Sequence, residues 1–161
     1  MPKLTILVGL PGSGKSTWRE KNITSEEVIS SDDIIEKYCQ EDGITYNEGF
    51  SKYAKIANNE IKEKAKKALE QNKDIIWDQT NLSKKSRKLK INMAKKYGYK
   101  VVCVVFEVED SILYTRLKNR PGKEIPDYVI KNMMGNYQFP TKDEKIDQIK
   151  VHNINLNKQI K

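Results

Sequence analysis

Apolar residues fall along this chain in two rhythms. Short, nearly continuous runs rich in β-branched residues recur at "KLTILV" (3–8), "EEVISS" (26–31), "DIIWD" (74–78), "KVVCVVFEV" (100–108) and "IDQIKVHNI" (146–154). Runs of this length bounded by turn residues predict strands. The fourth is apolar at almost every position, as a centrally buried parallel strand should be. Between them, apolar residues are spaced by three and four. The longest such stretch, Asn47 to Asn72, places Phe50, Ala54, Ala57, Ile61, Ala65 and Ala68 on one stripe and predicts a core-facing helix. Shorter helices are predicted from about Lys15 to Asn22, from Ser83 to Tyr97, over 109–119 and over 126–136. "DDIIEKYCQ" reads as a helical turn or short helix that Gly43 ends. Alternation of strand and helix predicts an α/β fold: a mostly parallel sheet of about five strands with helices on both faces. One domain over residues 1–161 suits this length, with only "NKQIK" frayed at the end.

The loop after the first run carries the first chemistry. Gly9-Leu10-Pro11-Gly12-Ser13-Gly14-Lys15-Ser16 fits G-x-x-x-x-G-K-[ST], and Thr17 follows. Glycines let the backbone turn so that several N–H groups converge on one anion. The helix behind them adds the positive end of its dipole. Lys15 is placed to reach the β/γ-phosphates and Ser16 to ligate Mg²⁺. The motif therefore predicts a P-loop binding a nucleoside triphosphate, ATP.

Water, or a hydroxyl, must receive the γ-phosphate, and transfer to a hydroxyl calls for a proton acceptor. The second strand ends in "SSDD", so Asp32 and Asp33 stand at the carboxyl edge of the sheet, where ligands of such folds bind. One is the candidate general base and the other a helix cap; both as caps is the plain alternative. "WDQTN" ends the third strand and offers Asp78, Thr80 and Asn81 as acceptor or Mg²⁺–water contacts. In "TRLKNRPGK", Arg116 and Arg120 precede a Pro-Gly loop and could close over the triphosphate.

Charge adds a hint about the acceptor. Thirty Lys+Arg against 22 Asp+Glu leave +8, which favours polyanions. From Gln79 to Phe106 there are eight basic and no acidic residues, and Lys84, Arg87, Lys88 and Lys95 fall near one helix face. That face is a candidate groove for nucleic-acid phosphates, or merely a solvated surface. Tyr46, Tyr53 and Trp77 are candidate base-stacking aromatics. Cys39 and Cys103 lack metal or redox spacing and read as reduced thiols. With no long apolar run and no cleavage-site pattern after "LTILV", the expected location is cytoplasmic, in a bacterial or phage-encoded protein, with no membrane partner.

Together "GLPGSGKSTW" (9–18), "ISSDD" (29–33), "WDQTNLS" (77–83), "RLKNRPGKEIP" (116–126) and "YQFPT" (137–141) resemble the kinase domain of polynucleotide 5′-hydroxyl kinases of the T4-phage type. The resemblance spans about 140 residues in the family's order. It implies an adenylate-kinase-like three-layer α/β/α domain with a small helical lid at about 116–126. It implies transfer of the ATP γ-phosphate, with Mg²⁺, to the 5′-OH of single-stranded DNA or RNA. Lys15, Asp32 as base and Arg120 of the lid would be catalytic, and Arg116 a weaker match. Asp32, Asp78, Thr80 and Asn81 would face the acceptor, joined by Arg87 from the basic face read above. Several members carry an arginine three residues after the base that grips the acceptor's phosphate; this chain has Ile35 there. It also has Ser31 where arginine often precedes the base. A separate ligase or phosphatase acting on the same ends is an implied partner. Two alternatives stand beside this reading: a P-loop kinase of a small-molecule hydroxyl (nucleoside, sugar acid or antibiotic), and an ATP-dependent switch protein, against which the lack of a clear Walker-B signature counts.

Overall fold

The structure is a computed structural model in which residues 1–153 are described; the last residue of the fifth predicted strand and "NKQIK" lie outside them. The elements run β1 (Lys3–Val8), α1 (Lys15–Asn22), β2 (Glu27–Ile29), α2 (Ser31–Asp42), α3 (Tyr46–Glu70), β3 (Ile75–Asp78), α4 (Lys84–Lys96), β4 (Lys100–Glu107), α5 (Asp110–Lys118), α6 (Asp127–Gly135), a 3-10 turn (Lys142–Glu144) and β5 (Gln148–Asn153). The five strands lie in the order β2-β3-β1-β4-β5, and every pairing is parallel. β1 sits in the middle, with Leu4 opposite both Ile75 and Val101. β5 is the edge expected of the weakest apolar run.

Although the strands look uniformly apolar, their two faces have different neighbours, because successive side chains point to opposite sides. Leu4, Ile6, Val8, Ile75, Trp77, Val101, Cys103 and Val105 pack against Ile61, Ala65, Ala68 and Leu69 of α3 and Ile91 and Ala94 of α4. Leu7, Ile76, Val102, Val104 and Phe106 face the other way, towards Trp18 of α1. Small residues on α3 let a long helix lie close to the sheet.

Three expectations need correction. "DDIIEKYCQ" belongs to a helix of 12 residues rather than a short one, opened by Ser30, whose hydroxyl accepts from the Asp33 N–H, and closed by Gly43 in the left-handed conformation (φ 69°). Phe50 leaves the α3 stripe and is 48% exposed, while Gly49 and Tyr53 take the buried positions. There α2 replaces the sheet as the surface packed on, so the buried face rotates: Ile35, Cys39, Tyr53 and Ala57 form their own cluster. Finally, the 116–126 segment is helical only to Lys118 and continues as a turn and an extended stretch, because Pro121 has no N–H to continue a helix.

Candidate active site

The carboxyl ends of β1, β2 and β3 converge on one cleft of about 640 Å³. Pro11, Gly12, Gly14, Lys15, Ser16 and Thr17 form one wall, and Asp32, Asp33 and Glu36 of α2 another. Asp78 and Thr80 lie at its floor, and Arg116, Arg120 and Lys123 close it from above. Gly12 and Gly14 hold φ of 82° and 101°, which only glycine adopts without strain. Gly14 hands the chain directly to α1 at Lys15, so the helix N-terminus opens on the cleft.

The turn after β3 supports this loop. The Gly9 N–H donates to Thr80 O at 3.0 Å. Asn81 is left-handed (φ 48°) and buried, and its amide donates to Leu7 O at 2.8 Å and Gln79 O at 3.2 Å. Lys15 Nζ donates to Gly9 O at 2.7 Å and Gln79 O at 3.4 Å. Burial lowers its pKa to about 8, against the opposing pull of Asp78 and Asp32. Burial likewise raises the pKa of Asp78, with Lys15 and Arg19 opposing.

Arg19 of α1, four residues after Lys15, spans the cleft floor. It bonds Asp78 Oδ2 at 2.8 Å and pairs with Asp33 Oδ2 at 2.9 Å. Asp33 thereby ties α2 to α1, and both Asp32 and Asp33 line the cleft. Neither aspartate side chain is the cap of α2; Ser30 fills that position. Asp32 Oδ1 accepts from the Tyr46 hydroxyl at 2.6 Å, and Asp32 Oδ2 lies 3.9 Å from Lys123 Nζ. Burial, then the bond to Asp32, raises the Tyr46 pKa, so its hydroxyl remains a donor. From above, Arg116 donates to Gly12 O at 3.0 Å. Arg120 places a buried Nη1 in the cleft with no hydrogen-bond partner among the described residues. Such an orphaned donor is costly unless a ligand supplies oxygens.

The family model of the AAA domain (AAA_33) matches residues 4–140. The chain belongs to this family. It is a P-loop kinase, and the L-seryl-tRNA(Sec) kinase of Methanococcus maripaludis is 32% identical over 183 aligned positions, covering 98% of this chain and 68% of that protein. The bifunctional polynucleotide phosphatase/kinase of Schizosaccharomyces pombe is 25% identical over 88% of this chain and 31% of its own length. Among solved structures, that of the Pnkp1/Rnl/Hen1 RNA repair complex has a chain 26% identical with a TM-score of 0.66, covering 91% of this kinase and 46% of that chain.

Most of the residues that the sequence of this kinase nominated do meet: Pro11, Gly12, Gly14, Lys15, Ser16, Thr17, Asp32, Asp78, Thr80, Arg116 and Arg120 line the cleft, whereas Gly9 and the buried Ser13 of the same loop do not. Arg87 does not. It is 0% exposed, with Nε and Nη2 on the Glu144 carboxylate at 3.0 and 3.1 Å, Nη1 on the carbonyls of Asn81 and Leu82, and Nη2 on that of Gln138. Its N–H groups are spent inside the protein, so it cannot contact an acceptor. Asn81 is equally internal; its Oδ1 accepts from Lys90, whose pKa burial lowers to about 8. The basic face of α4 shrinks accordingly. Lys95 is paired with Asp147 at 2.5 Å, and only Lys85 and Lys88 stand exposed among the basic residues on the first half of the helix. Tyr53 and Trp77 are buried and unavailable for stacking. Ile35 is a core residue between α2 and α3. Cys103 is buried, and its pKa is pushed up to about 12, which keeps it an inert thiol. No helix among the described residues is long and apolar enough to cross a membrane.

Sequence reading missed Lys123, which lines the cleft, and Arg19 and Tyr46, which hold its aspartates. Arg19 carried a usable signal, since i+4 from the loop lysine is the same helix face. Tyr46 and Lys123 lie 14 and 91 positions from Asp32, and nothing local joins them.

Proposed function

We propose that this kinase transfers the γ-phosphoryl group of ATP to the 5′-hydroxyl of a polynucleotide, DNA or RNA, with Asp32 as general base. One observation carries this reading: Asp32 lines the same cleft as the glycine loop and Arg120, whose Nη1 has no hydrogen-bond partner among the described residues. The likenesses to proteins named as polynucleotide kinases and RNA-repair complexes support an acceptor at a nucleic-acid end, and a ligase acting on the same ends would be a natural partner.

In the step, the acceptor oxygen forms a bond to Pγ as the bond from Pγ to the β–γ bridging oxygen breaks. Asp32 takes the hydroxyl proton, and ADP leaves. Lys15 and the loop N–H groups hold the β- and γ-phosphates, and Arg116 and Arg120 neutralise charge on the transferring group. Tyr46 fixes the Asp32 carboxylate so that one oxygen stays turned to the acceptor. Buried donors at Arg120 and the loop suit a triphosphate. The Ser16 hydroxyl, in the first turn of α1 on the cleft wall, offers the oxygen that would hold Mg²⁺ beside the triphosphate, where the ion would add charge neutralisation.

The 32% identity to a seryl-tRNA kinase favours a second acceptor, a seryl hydroxyl carried on tRNA. Labelled ATP offered with a 5′-OH oligonucleotide, a nucleoside, seryl-tRNA and water separates the readings by which product is labelled. Asp32→Asn should lower transfer by about 10²–10⁴-fold while nucleotide affinity holds. If Asp33→Asn is the inactive variant instead, the base is misassigned.

A further inference from the structure

We infer that Lys123 receives the acceptor's own phosphate, the one a sugar away from the reacting hydroxyl, and that Glu36 keeps its place until the acceptor arrives. The inference rests on the polynucleotide reading and names the subsite that would recognise the strand.

The argument begins at Asp32. Its Oδ1 accepts from the Tyr46 hydroxyl, which leaves Oδ2 the more open oxygen for an acceptor hydroxyl, and Lys123 Nζ lies 3.9 Å from that Oδ2. The lid's cations divide the cleft between them. Arg116 is bonded to the glycine loop, whereas the contacts of Lys123 all lie on the opposite wall: Glu36 and Asp32 of α2, and the Tyr46 ring, whose centroid is 4.6 Å from the ammonium. Lys123 is therefore on the acceptor side of the transferring group.

Its backbone is held in place beforehand. Asn47 clasps the residues on either side: its N–H donates to Gly122 O at 2.9 Å, its amide donates to Glu124 O at 2.9 Å, and its Oδ1 accepts from the Glu124 N–H at 2.8 Å. Gly122 turns with φ 77°, and a Cβ there would press on Thr45 at 3.1 Å. The side chain is only 20% exposed, but its partner Glu36 is 48% exposed at the cleft mouth. An ion pair so open to water contributes little and exchanges readily. A phosphate brings more negative charge and more oxygens to the same ammonium. A 5′-hydroxyl nucleotide with a 3′-phosphate presents both groups that this wall can take: the hydroxyl for Asp32 Oδ2 and the phosphate for Lys123.

The test compares two acceptors with the same 5′-hydroxyl, a nucleoside 3′-monophosphate and its nucleoside. The wild type should prefer the monophosphate. Lys123→Met should collapse that preference by about tenfold or more through KM, the loss expected for a charge-assisted hydrogen bond. Lys123→Arg should keep it, and Glu36→Gln should lower KM for the monophosphate severalfold. If Lys123→Met slows both acceptors equally, or raises KM for ATP instead, Lys123 is not the acceptor-phosphate site while the polynucleotide reading survives. If the wild type labels neither these acceptors nor a 5′-OH oligonucleotide, that reading falls and takes this inference with it.

Discussion

Lys15 shows how far a single residue's chemistry depends on what surrounds it. Curled onto the carbonyls of Gly9 and Gln79, it titrates near 8 because burial outweighs the attraction of Asp78 and Asp32. A triphosphate in the loop supplies the missing negative charge and must raise that pKa. Below about pH 7 the lysine is charged in both states, and nucleotide affinity should not depend on this group. Above about 8 the free protein has lost the proton and binding must take one up, so affinity should fall by up to about tenfold per pH unit. Calorimetry from pH 7 to 9.5 in two buffers of different ionisation heat reads this uptake directly. Lys15→Met should flatten the profile, and a wild-type profile without slope above pH 8 would mean the lysine stays charged in the empty loop. The placement of Lys15, Ser16, Gly12 and Gly14 together at the cleft was readable in ten residues of sequence because a phosphate loop is built from consecutive positions. The base proposed at Asp32 was readable only as a choice between neighbours, and the structure separates the two by their partners: Arg19 pairs with Asp33, and the Tyr46 hydroxyl with Asp32.

Among the elements, α4 carries the largest departure from expectation. Arg87 joins the N-terminus of this helix to the turn after β3 and, through Gln138 and Glu144, to the segment ahead of β5. Arg87→Met would leave the Glu144 carboxylate, which is 9% exposed, without its partner. Breaking such a pair by removing one member costs about 3–5 kcal/mol. Urea unfolding should show a loss of that order, and adding Glu144→Leu should recover much of it, since the unpaired charge is what costs. An unchanged midpoint in the single variant would return Arg87 to the surface. In the sequence Arg87 is one of eight basic residues on a lysine-rich stretch. Only Glu144, 57 positions on, distinguishes it from its neighbours, and no local period connects the two.

At the scale of the whole molecule, a net charge of +8 and a cleft roofed by three cations favour a polyanionic acceptor. With Arg87 internal and Lys95 paired, Lys85 and Lys88 are the exposed basic positions on the first half of α4, nearest the cleft, that can still meet strand phosphates. Neutralising both to glutamine should flatten the log–log salt dependence of single-strand binding by about 0.7 for each phosphate no longer neutralised. Nucleotide affinity should be unmoved. An unchanged slope in filter binding from low to moderate salt would confine the nucleic-acid interaction to the cleft itself.

The sequence by itself determined the alternation of strands and helices, the phosphate loop, and the strand ends that present acidic residues, because all of these are written in neighbouring positions and in periods of two or about four. It did not determine strand order, which aspartate pairs with Arg19, or which cations face the cleft. Those depend on where β3 inserts beside β1, on how α2 and α3 pack at Gly49 and Ile35, and on how Asn47 clasps the segment bearing Lys123. The physical reason is the same in each case. A charged side chain takes its role from the partner that neutralises it, and for Asp33, Arg87 and Lys123 that partner lies on another element, brought within reach only when the sheet and its helices close around one core.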